Sequence, residues 1–254
     1  MEKVSVPPPI KGTPERIVIC ADAREWINDQ DNLEAVVTSP PDFEDCTYLN
    51  TIEEWKNFFV DTCAEIISKT MTYSIFYVTD RKNGGELIDK SHLLNLACDK
   101  TDAYMMWHKI VLRLKPERID IHRPTYSHLL CYSKKKRPDS SFPDVIHSHS
   151  VRYKDEDGLV YRDGMGITAT ILAVGFIKKY TDAKTIYDPF CGWGTTLEIA
   201  NRAGLNAHGI EIDPIRRRKA RKFEITKMAK ITEEEIQKNF EHVDELLNRA
   251  KKKK

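Results

Sequence analysis

The sequence contains no apolar run long enough to cross a membrane and no charged-then-apolar leader at its beginning. A membrane-spanning helix needs about 20 consecutive apolar residues, and a secretory leader needs an apolar core behind basic residues. We therefore expect a cytoplasmic protein that contacts no membrane. A large excess of either charge is also missing, because 40 basic and 39 acidic side chains leave a net charge of +1. Such a balance still permits one local basic surface.

The cysteines show no pattern of a metal site or a disulfide framework. The six cysteines lie at positions 20, 46, 63, 98, 131 and 191, and none forms a Cys-x-x-Cys pair. Free, mostly buried thiols in a reducing compartment are expected. His147 and His149 lie close together, but nothing near them completes a ligand set, so we expect no metal.

The distribution of apolar residues divides the chain into three segments. Residues 1–15 hold three consecutive prolines and little to bury, which indicates an extended arm. Residues 16–230 alternate short apolar runs with amphipathic stretches, which predicts one α/β domain. Residues 231–254 begin with a capping box, continue with an apolar stripe and end in four lysines. This pattern predicts a C-terminal helix with a basic tail.

Within the predicted domain, apolar runs and helical periodicities place the elements. A capping box at Thr51 and Glu54 begins a helix with an apolar face. Residues 134–164 are polar and without a period, so we expect a long loop or a small insertion there. The predicted strands are 16–20, 35–38, 71–79, 184–187 and 207–213, the predicted helices include 168–180 and 197–203, residues 80–85 are a predicted loop, and 118–121 with 127–132 form a predicted hairpin.

The stretch Thr38–Phe43, which we call the proline tip, follows a buried apolar run. A strand therefore ends where α/β sheets place their active sites. Pro40 and Pro41 lack N–H donors, which leaves backbone carbonyls able to accept hydrogen bonds from a ligand. A substrate amino group, with two protons to donate, suits such a tip. A plain proline-rich turn is the alternative on these residues alone.

Residues 188–196 form a second motif, which we call the glycine turn. Gly192 and Gly194 let the backbone approach a ligand closely where a strand turns into a helix. A dinucleotide fingerprint has a third glycine where this chain has Leu197, so a nicotinamide cofactor is disfavoured. Glu211 lies 17 residues beyond Gly194, where a carboxylate can accept from both hydroxyls of a ribose. These features favour a nucleoside-containing cofactor without a pyrophosphate.

The glycine turn (Asp-Pro-Phe-Cys-Gly-Trp-Gly-Thr-Thr), Glu211 and the Thr-Ser-Pro-Pro of the proline tip carry a family resemblance. Together they resemble the S-adenosylmethionine-dependent amino methyltransferases, which modify N4 of cytosine or N6 of adenine in nucleic acids. The tip precedes the turn, which resembles the permuted, beta-class-like DNA enzymes, and residues 126–134 resemble their late hairpin strand. The resemblance implies S-adenosyl-L-methionine as the cofactor. It also implies a Rossmann-like class I methyltransferase fold, in which helices cover both faces of a mostly parallel sheet with a late antiparallel hairpin.

The resemblance also implies roles for individual residues. Ser39 and the carbonyl of Pro40 would accept hydrogen bonds from the target amino group and aim its lone pair at the sulfonium methyl. Glu211 would bind the ribose, and Asp22 would contact the adenine side. The residues implied in catalysis are Ser39, Pro40, Pro41 and Asp42, and those implied in cofactor binding are Asp22, Thr38, Gly166, Thr168, Asp188, Phe190, Gly192, Trp193, Gly194, Thr195, Glu211 and Ile212.

Asp42 occupies the position where the family usually has an aromatic residue that stacks on the target base. Either Phe43 or Tyr48 takes over this stacking, or the pocket is more polar than usual. The Asp42 carboxylate could itself receive a proton or a hydrogen bond, or be only a turn residue. Trp193 replaces a small residue between the two glycines, and either narrows the cofactor mouth or offers a stacking surface. Cys191 is interpreted as a packing residue, because the reaction needs no covalent intermediate.

The small size of residues 134–164 favours one class of substrate over another, because so short a segment offers few side chains to contact several base edges in a major groove. Structured RNA such as ribosomal RNA is recognised largely by shape, so RNA is favoured over DNA. The serine before the two prolines resembles the N4-cytosine branch. A DNA N4-cytosine or N6-adenine methyltransferase is the alternative, and an inactive methyltransferase-fold protein that binds nucleic acid is a further one. We expect a monomer or homodimer. The basic residues expected to contact phosphates are Lys134, Lys135, Lys136, Arg137, Arg216, Arg217 and Arg218.

Overall fold

A mixed sheet of eight strands lies at the centre of the computed structural model, which describes residues 13–115, 117–121, 123–136, 142–148, 152–154, 160–162, 165–229 and 231–248. The spatial order of the sheet is β1-β12-β11-β2-β3-β7-β6-β8, and β4–β5 and β9–β10 form two separate hairpins. The strands are β1 (Arg16–Ile19), β2 (Ala35–Thr38), β3 (Ser74–Val78), β4 (Arg81–Asn83), β5 (Glu86–Ile88), β6 (Tyr104–Leu112), β7 (Tyr126–Ser133), β8 (Val145–His147), β9 (Arg152–Lys154), β10 (Val160–Arg162), β11 (Thr185–Asp188) and β12 (Asn206–Ile210).

Strands β1, β12, β11, β2 and β3 are parallel neighbours, whereas β7 runs antiparallel to both β3 and β6. The expected mostly parallel sheet with a late antiparallel hairpin is confirmed. Helices cover both faces, also as expected. They are α1 (Ala23–Asn28), α2 (Ile52–Lys69), α3 (Lys90–Asp99), α4 (Ile167–Tyr180), α5 (Thr195–Arg202), α6 (Pro214–Ala220), α7 (Ile225–Ala229) and α8 (Glu233–Asn248).

The central strands are apolar at successive positions because both of their faces are covered. In β2, Val36 packs in a core formed with α2 and α3, whereas Val37 packs in a second core formed with α4, α5 and α8. The α2 helix begins at the predicted capping box, where the Glu54 N–H donates to Thr51 Oγ1 over 3.1 Å. Its buried face includes Trp55 and Phe59. Local sequence signals therefore explain how this helix starts and which face it buries.

The order of strand connection reverses at β11, and the candidate site lies at this switch point. From β11 the chain crosses over through α5 to β12 on one side, while β2 pairs with β11 on the other side. Ligands of open α/β sheets bind beyond the carboxyl ends of the strands at such a switch point. The proline tip leaves the carboxyl end of β2, and the glycine turn leaves the adjacent end of β11. The topology thus brings together two motifs that are far apart in sequence.

The C-terminal helix α8 packs against α4. Its buried residues Ile236, Val243 and Leu247 belong to the same core as α4 and α5. Gly175 of α4 permits the close approach, since a Cβ there would lie 3.5 Å from Leu247. Most of the predicted N-terminal arm and the four terminal lysines lie outside the described residues.

The late hairpin has a different first strand from the one predicted. We expected residues 118–121 to pair with 127–132, but the partner of β7 is β6, with Leu112 opposite Tyr126. Residues 118–121 belong instead to the connection between these strands, where Ile119 is 88% exposed. Alternating apolar residues predicted a strand, but these side chains have no core to face.

Two predicted loops contain strands. Residues 80–85, predicted as a loop, begin the β4–β5 hairpin, which turns at Gly84 and Gly85 with φ of +57° and +89°. Residues 134–164, predicted as a loop or small insertion, contain β8, which extends the main sheet parallel to β6. The three-residue length of β8 gives too short a run for the alternation that reveals strands.

All six cysteines are free, and five of them are buried, as predicted. Within the described ranges, no helix combines the length and the apolarity needed to cross a membrane.

Candidate active site

A hydrogen bond joins the proline tip to the glycine turn. Thr38 Oγ1 donates to Asp188 Oδ1 over 2.7 Å, and the Phe190 N–H donates to the same oxygen over 3.2 Å. Both Thr38 and Asp188 are buried. Burial raises the pKa of Asp188 to about 6, although the hydrogen bonds from Thr38, Thr196 and the Phe190 N–H oppose the shift. The donors to Asp188 are neutral groups, so they limit the cost of burying this carboxylate without cancelling it.

Two glycines of this region are required by close approaches. Gly194 has φ of +90°, and a Cβ there would lie 3.0 Å from the Ala220 carbonyl oxygen at the end of α6. Gly209 in β12 faces the turn, since a Cβ there would lie 2.6 Å from Leu197 Cδ1 and 2.7 Å from Cys191 Sγ. Leu197 thus packs against a glycine of the neighbouring strand, which explains why the helix needs no third glycine of its own.

The absence of a side chain at Gly209 also explains how Cys191 packs. The Cys191 side chain is buried against β12, and burial raises the pKa of its thiol. A neutral, enclosed thiol is a poor nucleophile. The structure therefore agrees with the interpretation of Cys191 as a packing residue.

Two cavities open beyond the carboxyl ends of β2 and β11, one of about 440 Å³ and one of about 200 Å³. The two motifs form the wall between them. Residues that line both cavities are Ser39, Pro41, Asp45, Phe190, Gly192 and Arg216. A group bound in one cavity therefore lies next to a group bound in the other.

The smaller cavity combines apolar walls with carboxylates. Phe190 and Ile212 supply apolar surface, and Asp22 and Glu211, together with the shared residue Asp45, supply the carboxylates. Burial raises the pKa of Glu211, whose Oε1 accepts from the Asp213 N–H over 2.9 Å. Apolar faces can hold a flat heterocycle, and the carboxylates can accept hydrogen bonds from hydroxyl or amino groups. This set of apolar faces and hydrogen-bond acceptors fits a nucleoside.

The larger cavity brings the proline tip against residues that sequence analysis missed. Ser39, Pro40, Pro41 and Asp42 form one wall, and Asp188, Trp193 and Thr195 contribute from the glycine turn. The lining residues that were not predicted include Tyr77, Lys90, Arg123, Met165 and Thr170.

Asp42 is held by three cations. Lys90 Nζ pairs with its Oδ1, while Arg81 Nε and Arg123 Nη2 lie 3.2 and 3.1 Å from its Oδ2. Burial alone would raise the pKa of Asp42, but Lys90, Arg81 and Arg123 outweigh burial and lower it. An ionised carboxylate with a lowered pKa is a weak proton acceptor near neutral pH. The geometry therefore favours a positioning role for Asp42 over the acceptance of a proton.

Trp55 holds the tip through a hydrogen bond. Its Nε1–H donates to the Pro41 carbonyl over 3.2 Å, and its side chain is buried in α2. The tip is thus held at Thr38, at Pro41 and at Asp42 by residues from separate parts of the chain.

No protein-family model matches the chain, and no curated protein matches it. Solved structures do match. PvuII DNA methyltransferase (cytosine-N4-specific) is 14% identical with a TM-score of 0.65, over 94% of this chain and 96% of that chain. A candidate DNA modification methylase from Thermus thermophilus, complexed with S-adenosyl-L-methionine, is 19% identical with a TM-score of 0.57, over 89% of this chain and 96% of that chain. The M1.HpyAVI–SAM complex is 16% identical with a TM-score of 0.52, over 82% of this chain and 97% of that chain.

The chain has a class I methyltransferase fold.

Several residues predicted to bind the cofactor of this methyltransferase fold lie outside both cavities. Thr38 acts on Asp188 instead, and Gly194 packs against α6. Gly166 precedes α4, and Thr168 Oγ1 donates to Asn239 Oδ1 of α8 over 2.9 Å. Among the described residues of the same segment, Met165 and Thr170 line the larger cavity in their place.

The two residues predicted to stack on the target base are placed differently. Phe43 packs against the core formed with α2 and α3, and it lines neither cavity. Tyr48 lines the smaller cavity, where the Arg24 guanidinium lies 5.5 Å from its ring centre. Neither ring faces the larger cavity. Trp193 does line the larger cavity, which is consistent with the predicted stacking surface at this position.

The basic run 134–136 lies at the wrong edge of the sheet for a phosphate contact at the site. Because β7 is antiparallel to β3, its carboxyl end pairs near Ser74, at the amino end of β3. Lys134 Nζ donates there to the Ser68 carbonyl over 2.6 Å, and Lys136 Nζ lies 4.6 Å from the Tyr104 ring centre. Arg137 lies outside the described residues.

The basic helix α6 follows β12 and does lie at the cavity edge of the methyltransferase fold. Arg216 lines both cavities, whereas Arg217 Nε donates to the Val18 carbonyl over 3.1 Å. The connection between β6 and β7 also lies at this edge and carries Arg113, Arg118 and Arg123. Sequence order alone gave no sign that these residues flank the site.

Proposed function

We propose that this protein is an S-adenosylmethionine-dependent methyltransferase that modifies the exocyclic N4 amino group of cytosine in DNA. The observation that carries the proposal is the Thr38–Asp188 hydrogen bond, which fixes the acceptor tip beside the glycine turn. As a result, one wall separates a nucleoside-sized cavity from a larger polar cavity. Transfer between two bound molecules requires this kind of proximity.

The smaller cavity is the proposed place of the nucleoside half of the cofactor. Glu211 would accept from the ribose hydroxyls, Asp22 from the adenine amino group, and Phe190 with Ile212 would enclose the ring. When bound, S-adenosylmethionine supplies an electrophilic methyl group. Gly192 lines both cavities, and a Cβ there would meet no protein atom within 4 Å, so the backbone leaves open space that a ligand can fill.

The larger cavity is the proposed place of the target base. Ser39 Oγ and the Pro40 carbonyl would accept from the target amino group, which draws its lone pair out of the ring and directs it at the shared wall. The same oxygens would stabilise the positive charge that develops on nitrogen. Thr38 and Trp55 hold the tip that carries these acceptors. Asp42 stays ionised, and its role is to hold Lys90 in position at the cavity wall.

DNA is favoured over the RNA expected from sequence. That expectation rested on the small size of residues 134–164. The PvuII DNA methyltransferase, which is specific for cytosine N4, matches this chain over 96% of its own length. A recogniser of this size is therefore compatible with DNA, and the arginines on the β6–β7 connection and α6 supply phosphate contacts at the correct edge. The chain order, with the tip before the glycine turn, supports the permuted class.

The proposal is tested in two steps with the purified full chain. Calorimetric titration measures S-adenosylmethionine binding, and unmethylated genomic DNA and ribosomal RNA are then incubated separately with the cofactor and analysed by nucleoside mass spectrometry. We expect binding, and N4-methylcytosine in DNA. Methylation of RNA alone would contradict the DNA assignment, and binding without transfer to either would favour the inactive binding protein.

A further inference from the structure

Lys90 is a buried cation at the wall of the larger cavity. Its side chain is 2% exposed, and its ammonium has three N–H donors. The structure records Asp42 as the acceptor for Lys90 Nζ, and the Trp55 ring centre lies 5.5 Å away. That single carboxylate also serves Arg81 and Arg123. Within the described part of the chain, Lys90 therefore keeps donor capacity for a ligand in the cavity that it lines.

The position of Lys90 is fixed from behind. Asp80 Oδ1 accepts from the Lys90 N–H over 2.9 Å at the first turn of α3. Asp80 Oδ2 lies 2.9 Å from His128 Nε2, and His128 Nδ1 lies 2.8 Å from His108 Nε2. Both Asp80 and His128 are buried. Asp80 thus anchors the backbone of Lys90 and Asp42 holds its ammonium, so the donor is preorganised and a hydrogen bond that it donates is sensitive to the exact identity of its acceptor.

We propose that Lys90 donates to the ring acceptors of an extruded cytosine and thereby selects cytosine over adenine. The inference rests on the proposed function, because it places the target base in the larger cavity. Cytosine carries two acceptors, N3 and O2, in succession beside its N4 amino group. Along the same edge adenine presents one acceptor, N1, followed by the C2–H, so the second acceptor, O2, is what distinguishes cytosine. With the amino group held by Ser39 and Pro40, Lys90 donates to this edge, and Arg123 lines the same cavity as a second donor.

The same arrangement explains why Asp42 stands where an aromatic residue was expected. A buried ammonium without a counter-ion is costly, and an aromatic ring at position 42 would leave Lys90 without its carboxylate. Asp42 thus holds the donor in place of providing a stacking face. Recognition of the base through its polar edge takes over from recognition through its π face.

The test compares two variants that each remove one cation from Asp42. Lys90→Met removes the donor at the cavity wall, and Arg81→Gln is the matched control because Arg81 lines neither cavity. Arg123→Gln, at a more exposed position, serves as the second cavity variant in case Lys90→Met does not fold. Each full-length protein is incubated with S-adenosylmethionine and unmethylated genomic DNA, and mass spectrometry gives the ratio of N4-methylcytosine to N6-methyladenine. Cofactor binding and melting temperature are measured in parallel.

We expect Lys90→Met to lower this ratio at least tenfold with cofactor binding retained, Arg123→Gln to lower it less, and Arg81→Gln to leave it unchanged. A purely structural role for Lys90 would reduce both products together and keep the ratio. An unchanged ratio in folded Lys90→Met would overturn this inference and leave the proposed function standing. If Lys90→Met does not fold, an unchanged ratio in Arg123→Gln has the same meaning. Wild-type protein that forms only N6-methyladenine would also overturn it. Cofactor binding without any transfer by the wild type would overturn the proposed function and the inference together.

Discussion

The proline tip holds one half-buried aspartate and the glycine turn one buried aspartate, and the two carboxylates have opposite surroundings. Asp42 lies among three cations, which lower its pKa below the ordinary value of 3.8. Asp188 lies among neutral hydroxyl and N–H donors, and burial raises its pKa to about 6. Charge at the tip is therefore stabilised, whereas charge at the turn is only tolerated. The comparison shows that burial does not by itself set the role of a carboxylate.

The largest expected effect on stability is at the tip. Asp42→Asn leaves Lys90 buried without its counter-ion, and removing one partner of a buried ion pair typically lowers the free energy of unfolding by about 3–5 kcal/mol. Urea denaturation measures the loss. Asp61→Asn is the control, because the Asp61–Lys100 pair is exposed and such pairs contribute about 1 kcal/mol or less. Equal losses in the two variants would show that Lys90 does not depend on Asp42.

The next effect separates transfer from cofactor binding. Ser39→Ala removes an acceptor for the target amino group, and we expect transfer to fall about 100-fold, the scale for losing one electrostatic contact to a reacting group. The affinity for S-adenosylmethionine should change little, because the Glu211 and Asp22 carboxylates are untouched. Single-turnover transfer and calorimetric titration measure the two quantities. Loss of cofactor binding instead would place Ser39 in the cofactor site.

A smaller effect is expected where the two regions touch. Thr38→Val removes the hydroxyl that donates to Asp188, so we expect the free energy of unfolding to fall by about 1–3 kcal/mol and the pKa of Asp188 to rise further. Thr62→Val, at a buried threonine of α2 far from the turn, is the control for the loss of a hydroxyl. A pKa of Asp188 that does not move in Thr38→Val would mean that the hydrogen bond is not formed in solution.

The smallest effect is a difference in pH dependence. Because the folded pKa of Asp188 lies above its ordinary 3.8, its contribution to stability is fully present below about pH 4 and is lost as the pH rises through 6. Asp42 has the opposite sign, so its contribution is lost only as the pH falls below about 4. The difference in unfolding free energy between wild type and Asp188→Asn should therefore decline from pH 4 to pH 7. A constant difference would place the pKa of Asp188 in its ordinary range.

Sequence patterns predicted the central sheet and the meeting of the two motifs, because those features depend on local signals. Buried runs mark β2 and β11, and the crossover rule places their carboxyl ends side by side. The positions of Glu211 and Asp22 at this edge could be predicted for the same reason, since Glu211 directly follows β12 and Asp22 lies three residues after β1. Predicting the positions of these residues requires no knowledge of which side chains meet across the fold.

The polar partners of the site could not be predicted in this way. Lys90 looks like a solvated residue at a helix start, and nothing in its neighbourhood indicates that it is buried beside Asp42. The charged residue at position 42 was itself the only signal, because a buried carboxylate requires a cation, but any of the basic residues could supply it. The run 134–136 was misplaced because the antiparallel direction of β7 reverses the edge to which its carboxyl end belongs.

The position of β11 between β2 and β12 has a consequence for synthesis on the ribosome. The nascent chain contains β1, β2 and β3 long before β11 and β12 exist, so β2 has an open edge and β1 has no strand to pair with. Unpaired, apolar strand edges are sites of aggregation. The N-terminal half therefore exposes unpaired strand edges until β11 and β12 emerge, and we expect a truncated product ending before residue 185 to aggregate.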